Sequence, residues 1–177
     1  MRKIVLNLAV SLDGYICDER GGFDWIKGHE DPQLDTAEKD DFEAFLESID
    51  TIVMGSIAYE DCVLSGLDTF DSKQILVLTS RQLERKENVR FVTGDICEEV
   101  MALKEQEGKD IFIFGGAKLA DQFVKKDLID TYVIGIIPTL LGKGRPLFKG
   151  HPDEIKLHLK KLTIQDGIVI MTYERRV

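Results

Sequence analysis

The sequence is poor in the features that mark several protein classes. It has only three cysteines, Cys17, Cys62 and Cys97, far apart and without Cys-x-x-Cys spacing, so neither a disulfide framework nor a zinc site follows from them. The three histidines, His29, His151 and His158, are unclustered. His29-Glu30 lacks the second histidine of a zinc-protease helix, and the His-x-Glu and Pro-Cys-x-x-Cys pair of the zinc deaminases is missing. No metal site is expected. No apolar run approaches the roughly 20 residues of a membrane helix. The basic start at Met1 leads into an apolar stretch that stops at Asp13 without a small-residue cleavage site. That pattern predicts a first strand, not a signal peptide, and a cytoplasmic location. There is no basic stripe, and the formal net charge is −9, with much of the acid between Asp31 and Asp61. This argues against nucleic-acid partners. An anionic ligand would have to find helix N-termini and a few placed Arg or Lys side chains. No repeat or Pro/Gly/Ser-rich linker divides the chain, so one domain over residues 1–177 is expected.

What is present is a succession of short apolar runs. They predict strands over residues 4–10, 51–54, 74–79, 89–93, 110–114, 131–138, 155–164 and 167–173. Helices are predicted over residues 35–48, 96–106 and 117–126, with a short one from Ile57 and a loop over residues 12–22. Asp35 or Thr36 caps the first helix in this reading, with Glu38 in a capping-box position, and its apolar face is Phe42, Phe45, Leu46 and Ile49. The runs Ile52-Val53-Met54, Ile75-Leu76-Val77-Leu78 and Ile111-Phe112-Ile113-Phe114 are continuously apolar, as in parallel strands buried on both faces. Gln165-Asp166-Gly167 marks an antiparallel hairpin. The expected fold is α/β, a central mixed eight-stranded sheet flanked by helices.

In such a sheet, ligands bind beyond the carboxyl ends of strands, and three of those ends are glycine-rich or polar. Met54-Gly55-Ser56-Ile57-Ala58-Tyr59-Glu60 opens a helix after the second strand. It is either a plain strand–helix turn or a place where backbone N–H groups meet phosphate. Leu78-Thr79-Ser80-Arg81 supplies two hydroxyls and a guanidinium, which form either a phosphate clamp or a solvated strand end. Phe114-Gly115-Gly116-Ala117-Lys118-Leu119 puts adjacent glycines at a helix start, where a pyrophosphate can come close. It is neither the GxGxxG fingerprint nor a Walker loop.

In this order and at these strand ends, the segments resemble the dihydrofolate-reductase superfamily, in which they line the NADPH groove. Ala9-Val10-Ser11-Leu12-Asp13-Gly14-Tyr15-Ile16 is similar to the first strand and loop that cover the nicotinamide. Ile137-Pro138-Thr139-Leu140-Leu141-Gly142-Lys143-Gly144-Arg145-Pro146-Leu147-Phe148 resembles a narrower branch, the reductase domain of riboflavin biosynthesis and its stand-alone relatives. The resemblance spans nearly the whole chain. It implies an NADPH-dependent oxidoreductase of a small pyrimidine- or pterin-like heterocycle, similar to 5-amino-6-(5-phosphoribosylamino)uracil reductase, acting by direct hydride transfer as a homodimer. The long apolar strand over residues 131–138 is expected near the end of the sheet, where an exposed apolar edge invites that pairing. It places Gly55, Ser56, Gly115, Gly116 and Ala117 at the pyrophosphate, Thr79, Ser80 and Arg81 at the adenosine phosphate, and Ala9 and Ile16 near the nicotinamide. Two departures stand out. Ser56 occupies a position where the family usually has Arg, leaving Arg81 as the main clamp, and Ala58 replaces a Thr.

The substrate side leaves alternatives open. Asp13 either orients or protonates a substrate or is ordinary Leu-Asp-Gly turn chemistry. Asp41 stands roughly where dihydrofolate reductases keep an acidic substrate-binding residue, with Asp40 beside it, or both belong to a solvated helix face. Trp25, the single tryptophan, lines a planar pocket or covers the core edge. Gly142-Lys143-Gly144-Arg145 is a basic phosphate loop, a dimer contact or a strand-end turn. Two other functions fit the same residues: a true dihydrofolate reductase, and a nucleotide-binding protein without catalysis.

Overall fold

Strands without polar alternation must be covered on both faces, and the computed structural model, which describes residues 1–64, 66, 68–150 and 153–176, covers them. His151 lies outside the described residues. In chain order the elements are β1 (Ile4–Ser11), β2 (Tyr15–Cys17), α1 (Phe42–Ser48), β3 (Ile49–Gly55), α2 (Ser56–Ala58), β4 (Gln74–Leu78), β5 (Val89–Val92), α3 (Ile96–Lys104), β6 (Asp110–Gly115), α4 (Ala117–Lys125), β7 (Thr131–Ile137), β8 (Arg145–Pro146), β9 (Leu157–Gln165) and β10 (Ile168–Arg175). The helix begun by α2 runs on as a π-helical segment, Tyr59–Leu64.

Eight strands form one sheet in the order β5-β4-β3-β6-β1-β7-β10-β9, and β2 with β8 makes a separate two-stranded ribbon. The strands β5 through β7 in that order are mutually parallel. Only β10 runs against its neighbours β7 and β9. The β9–β10 turn is Asp166-Gly167, both at positive φ, 51° and 74°, as a two-residue type I′ hairpin requires.

Alternate residues of the central strands feed two cores. On one face Ile4, Leu6, Val10 and Ile113 pack with Ile96 and Val100 of α3 and with Leu119 and Phe123 of α4. On the other, Ile52, Met54, Ile75, Val77 and Phe112 pack with Leu46, Tyr59 and Val63. The parallel strands share one carboxyl pole, where the ends of β1, β3, β4, β6 and β7 gather.

Three expectations need correction. The helix foreseen over residues 35–48 starts only at Phe42, and Asp41 is its N-cap, accepting from the Ala44 N–H at 3.0 Å. The reason is tertiary. The Asp35 carboxylate accepts from the Asp166 N–H at 2.6 Å, and Thr36 exchanges hydrogen bonds with the Ile164 backbone at 3.0 Å. The hairpin thus holds these two residues out of any helix, in bonds that a capping box cannot match. Second, the loop over residues 12–22 contains β2, which finds its partner β8 some 130 residues later in sequence. Third, the strand over residues 131–138 is not near an edge, because β10 and β9 lie outside β7; the edges are β5 and β9.

Candidate active site at the carboxyl pole

Four helix N-termini face the carboxyl pole, and they are finished in two ways. Asp41 caps α1, and Asp95 caps α3 by accepting from the Cys97 and Glu98 N–H groups. The N-caps of α2 and α4 are Gly55 and Gly116, and neither has a side-chain cap. The first N–H groups of a helix have no intrahelical acceptor. At α2 and α4 they are left for something else, in a region of positive helix-dipole potential.

These two uncapped ends adjoin. Met54 and Gly115 are register partners across β3 and β6. A Cβ built on Gly55 would lie 3.9 Å from the Gly115 carbonyl and 4.0 Å from the Gly116 nitrogen. Gly115 has φ +111°, which L side chains rarely adopt, and its peptide to Gly116 is cis. A Cβ on Gly116 would meet nothing within 4 Å. The floor between the two helix ends is therefore bare backbone with open space above it. Beside it, β4 is followed directly by Thr79, whose N–H pairs with the Val92 carbonyl and whose hydroxyl accepts from the Arg81 N–H at 3.0 Å. Thr79 is buried and Ser80 is exposed. The Arg81 guanidinium forks onto the Glu60 carboxylate.

On the other side of β6, Ala9 of β1 is the register partner of Gly135 on β7, and half-buried Ile16 of β2 packs against the core. Asp13 lies in the turn between β1 and β2, exposed but fully engaged. It accepts from the Ser11 hydroxyl at 2.5 Å, from the Leu141 N–H at 3.2 Å and from the Gly142 N–H at 2.7 Å. The Ser11 hydroxyl, then the Gly142 and Leu141 amides, hold its carboxyl below the usual carboxylate range. Asp13 thus latches the first turn to the loop after β7, which is also tied down by a bond from the Leu12 N–H to the Thr139 carbonyl. The segment Gly142-Lys143-Gly144-Arg145 runs from that latch into β8. A Cβ on Gly144 would fall 2.2 Å from the Cys17 carbonyl, so this glycine lets the ribbon close. Asp18, Glu19, Arg20, Leu141, Gly142 and Lys143 border an open depression of about 500 Å3.

The sheet therefore brings Gly55, Ser56, Thr79, Ser80, Arg81, Gly115, Gly116 and Ala117 to one side of the pole, and Ala9, Asp13 and Ile16 to the other. Asp41 is exposed at the start of α1 and engaged in its cap. Half-buried Trp25 donates its indole N–H to the Gly22 carbonyl at 3.1 Å. Among the described residues, no cluster of three or more His, Cys, Asp or Glu side chains could hold a metal ion. Glu60 carries no local signal of its role in the sequence, because its partner Arg81 lies 21 residues away, beyond the end of the next strand.

Residues 66–170 match the family model of the RibD C-terminal domain. The uncharacterized Bacillus subtilis protein YwjB is 38% identical over 162 residues, 90% of either chain. A solved protein of Shewanella sp. PV-4 named for riboflavin biosynthesis superposes with a TM-score of 0.82 at 30% identity, over 100% of both chains. The Thermotoga maritima diaminohydroxyphosphoribosylaminopyrimidine deaminase/5-amino-6-(5-phosphoribosylamino)uracil reductase matches over 99% of this chain and 57% of its own, with a TM-score of 0.71 and 19% identity. The fold is also that of dihydrofolate reductase from Enterococcus faecalis, at a TM-score of 0.65 and 18% identity.

Proposed function

The chain belongs to the RibD C-terminal domain family, and on that premise we propose that it is an NADPH-dependent reductase of a small pyrimidine- or pterin-like heterocycle, 5-amino-6-(5-phosphoribosylamino)uracil or a close chemical relative. The observation that carries this is the pair of uncapped, glycine-started helices, α2 and α4, whose first residues adjoin at the ends of β3 and β6. Bare N–H groups above a backbone floor suit a pyrophosphate.

When bound, NADPH would supply a hydride to the carbon of a substrate C=N or C=O group, and solvent would supply the proton taken up at the nitrogen or oxygen. The chain's own residues bind and align. Gly55 and Ser56, with Gly115, Gly116 and Ala117, hold the pyrophosphate by backbone donors. Thr79, Ser80 and Arg81 hold the adenosine phosphate. Ala9 and Ile16 pack near the nicotinamide ring and keep water from it. Asp13 acts chiefly as a positioning residue: its three acceptor bonds keep the β1–β2 turn closed over the ring. Asp41 caps α1 and so sets the helix that borders the substrate side. The 177 residues act as one domain, in the cytoplasm.

We further propose that two copies pair through the β9–β10 end of the sheet. There Leu159 and Leu162 are each 46% exposed, and Ile168 to Tyr173 stay half-buried along β10. A partly bare apolar strand pair of this kind invites a partner.

Calorimetric or Trp25-fluorescence titration should give saturable NADPH binding, and absorbance should report NADPH consumption when candidate pyrimidines and dihydrofolate are offered in turn. Failure of both NADPH and NADH to bind at millimolar concentration rejects the reductase. Binding without turnover of either substrate class favours a non-catalytic nucleotide binder, and turnover of dihydrofolate alone favours a dihydrofolate reductase. Light scattering that finds a monomer at tens of micromolar rejects the pairing.

A further inference from the structure

The adenosine end of the groove holds two opposite charges in one fork. Arg81 Nη2 donates to Glu60 Oε2, and Nη1 donates to Oε1 at 3.4 Å. Glu60 comes from the π-helical segment after β3, and Arg81 from the end of the neighbouring strand β4. The fork therefore spans the two loops that border the pyrophosphate floor. Both side chains stay open to solvent, 51% exposed for Arg81 and 37% for Glu60, so the pair can part without opening a core. Four residues before Glu60, on the same helical segment, Ser56 adds no charge. The cation that would grip a phosphate is thus matched one for one by an anion.

The two charges suit different nucleotides. An Arg at this end of a dinucleotide groove receives a 2′-phosphate, whereas a carboxylate accepts hydrogen bonds from the ribose 2′-hydroxyl. We infer that Glu60 sets the choice of nicotinamide dinucleotide: its carboxylate competes with the 2′-phosphate for Arg81 and receives the free 2′-hydroxyl of NADH, so the chain binds NADH about as well as NADPH. The inference rests on the proposed dinucleotide groove and widens its cofactor choice from NADPH to either dinucleotide, through a residue that governs specificity. An exposed ion pair is worth at most about a fivefold factor, so competition for Arg81 alone is modest. A carboxylate left facing the phosphate adds like-charge repulsion in the same direction. Together they predict a wild-type NADPH-to-NADH affinity ratio within about tenfold of one, well short of the roughly 10- to 100-fold that an uncontested charge-assisted phosphate contact provides.

The test is calorimetric titration of both dinucleotides into the wild type, Glu60→Gln, Glu60→Lys and Arg81→Ala. Glu60→Gln should tighten NADPH by about three- to tenfold and leave NADH unchanged or slightly weaker. Glu60→Lys should move the ratio further in the same direction, and Arg81→Ala should weaken NADPH alone. Thermal unfolding should be nearly unchanged in all three, since the pair is exposed. If both dinucleotides bind and the ratio stays put in Glu60→Gln and Glu60→Lys, the assignment of Glu60 is wrong while the groove stands. A wild type that already prefers NADPH by clearly more than about tenfold, as an uncontested phosphate contact provides, also overturns it. If neither dinucleotide binds the wild type, the groove itself is misread and this inference falls with it.

Discussion

The two poles of the parallel sheet are finished in opposite ways. At the amino pole the polar groups close on one another. Buried Arg2 donates to the Lys109 carbonyl at 2.5 Å, to the Thr51 hydroxyl at 2.7 Å and to the Asp50 carboxylate. Asp50 also accepts from the Lys109 N–H at 2.8 Å, and Asp130 takes both the Ile4 N–H and the Lys104 ammonium. At the carboxyl pole the helices α2 and α4 carry no side-chain cap, and the strands before them, β3 and β6, end in glycine. One pole closes its charged groups on one another, and the other leaves the first N–H groups of two helices without a side-chain acceptor. Mutations at the first should move stability and spare binding, while mutations at the second should do the reverse.

The sharpest break in that contrast is Asp50→Ala. It leaves the buried Arg2 guanidinium short of its anionic partner, and we expect a loss of about 2–3 kcal/mol in urea unfolding with cofactor affinity intact. An accompanying loss of affinity would mean that the poles are not independent. Next come the adjacent glycines. Gly115→Ala has room for its methyl, which would meet only Leu8 Cδ2 at 3.9 Å, but not the backbone angle. It should cost about 1–2 kcal/mol of stability and weaken dinucleotide binding too. Gly116→Ala, at an ordinary φ of −76° with open space around it, should leave the melting temperature alone and still weaken binding. Equal effects from the two alanines on both readouts would remove the pyrophosphate from this floor.

A smaller effect is expected at Tyr132, whose buried hydroxyl has no hydrogen-bond partner among the described residues. Tyr132→Phe should stabilise by about 1 kcal/mol. Burial also pushes this phenol up to about 12, above its ordinary value near 10. The folded state therefore resists ionisation, and the stability linked to Tyr132 is complete below the ordinary value and is lost as pH rises toward 12. Tyr132→Phe should flatten that part of the pH–stability curve. The smallest expected change is at Asp13. Its folded value lies below the ordinary one, so its latch is intact above the ordinary carboxylate range and loosens as pH falls through the lower folded value. Protection of the Leu141 and Gly142 amides from exchange, taken relative to the intrinsic rate at each pH, should fall in acid in the wild type, and be low and flat with pH in Asp13→Ala. A flat wild-type profile would show that the latch does not depend on the carboxylate.

Much of this molecule could be read before folding. Short apolar runs mark all eight strands of the main sheet, three of them continuous because they are buried on two faces, and Asp166-Gly167 marks its tight hairpin, because burial and positive φ both leave direct marks in residue type. The glycines at residues 55, 115 and 116 are legible too, Gly115 by its positive φ and Gly55 and Gly116 by their place at helix starts. The start of α1 was not, since Asp35 and Thr36 have capping chemistry but spend it on a hairpin more than 120 residues away. The edges of the sheet were misjudged because strand order is set by crossovers, which leave no local trace. Asp13 reads equally as an acid and as a turn residue in the sequence, because the Leu141 and Gly142 amides that donate to it lie more than 120 residues away.

By itself, then, the sequence determined which segments are the strands of the main sheet, which strand ends pass through glycine into a helix, and the family to which the chain belongs. These depend on side-chain type and local backbone freedom, which each residue carries with it. Only the tertiary structure decided that β3 and β6 are neighbours, that their uncapped helices adjoin, and that Glu60 meets Arg81. Those are distances between residues far apart in the chain, fixed by how the crossovers stack the strands and not by any residue alone.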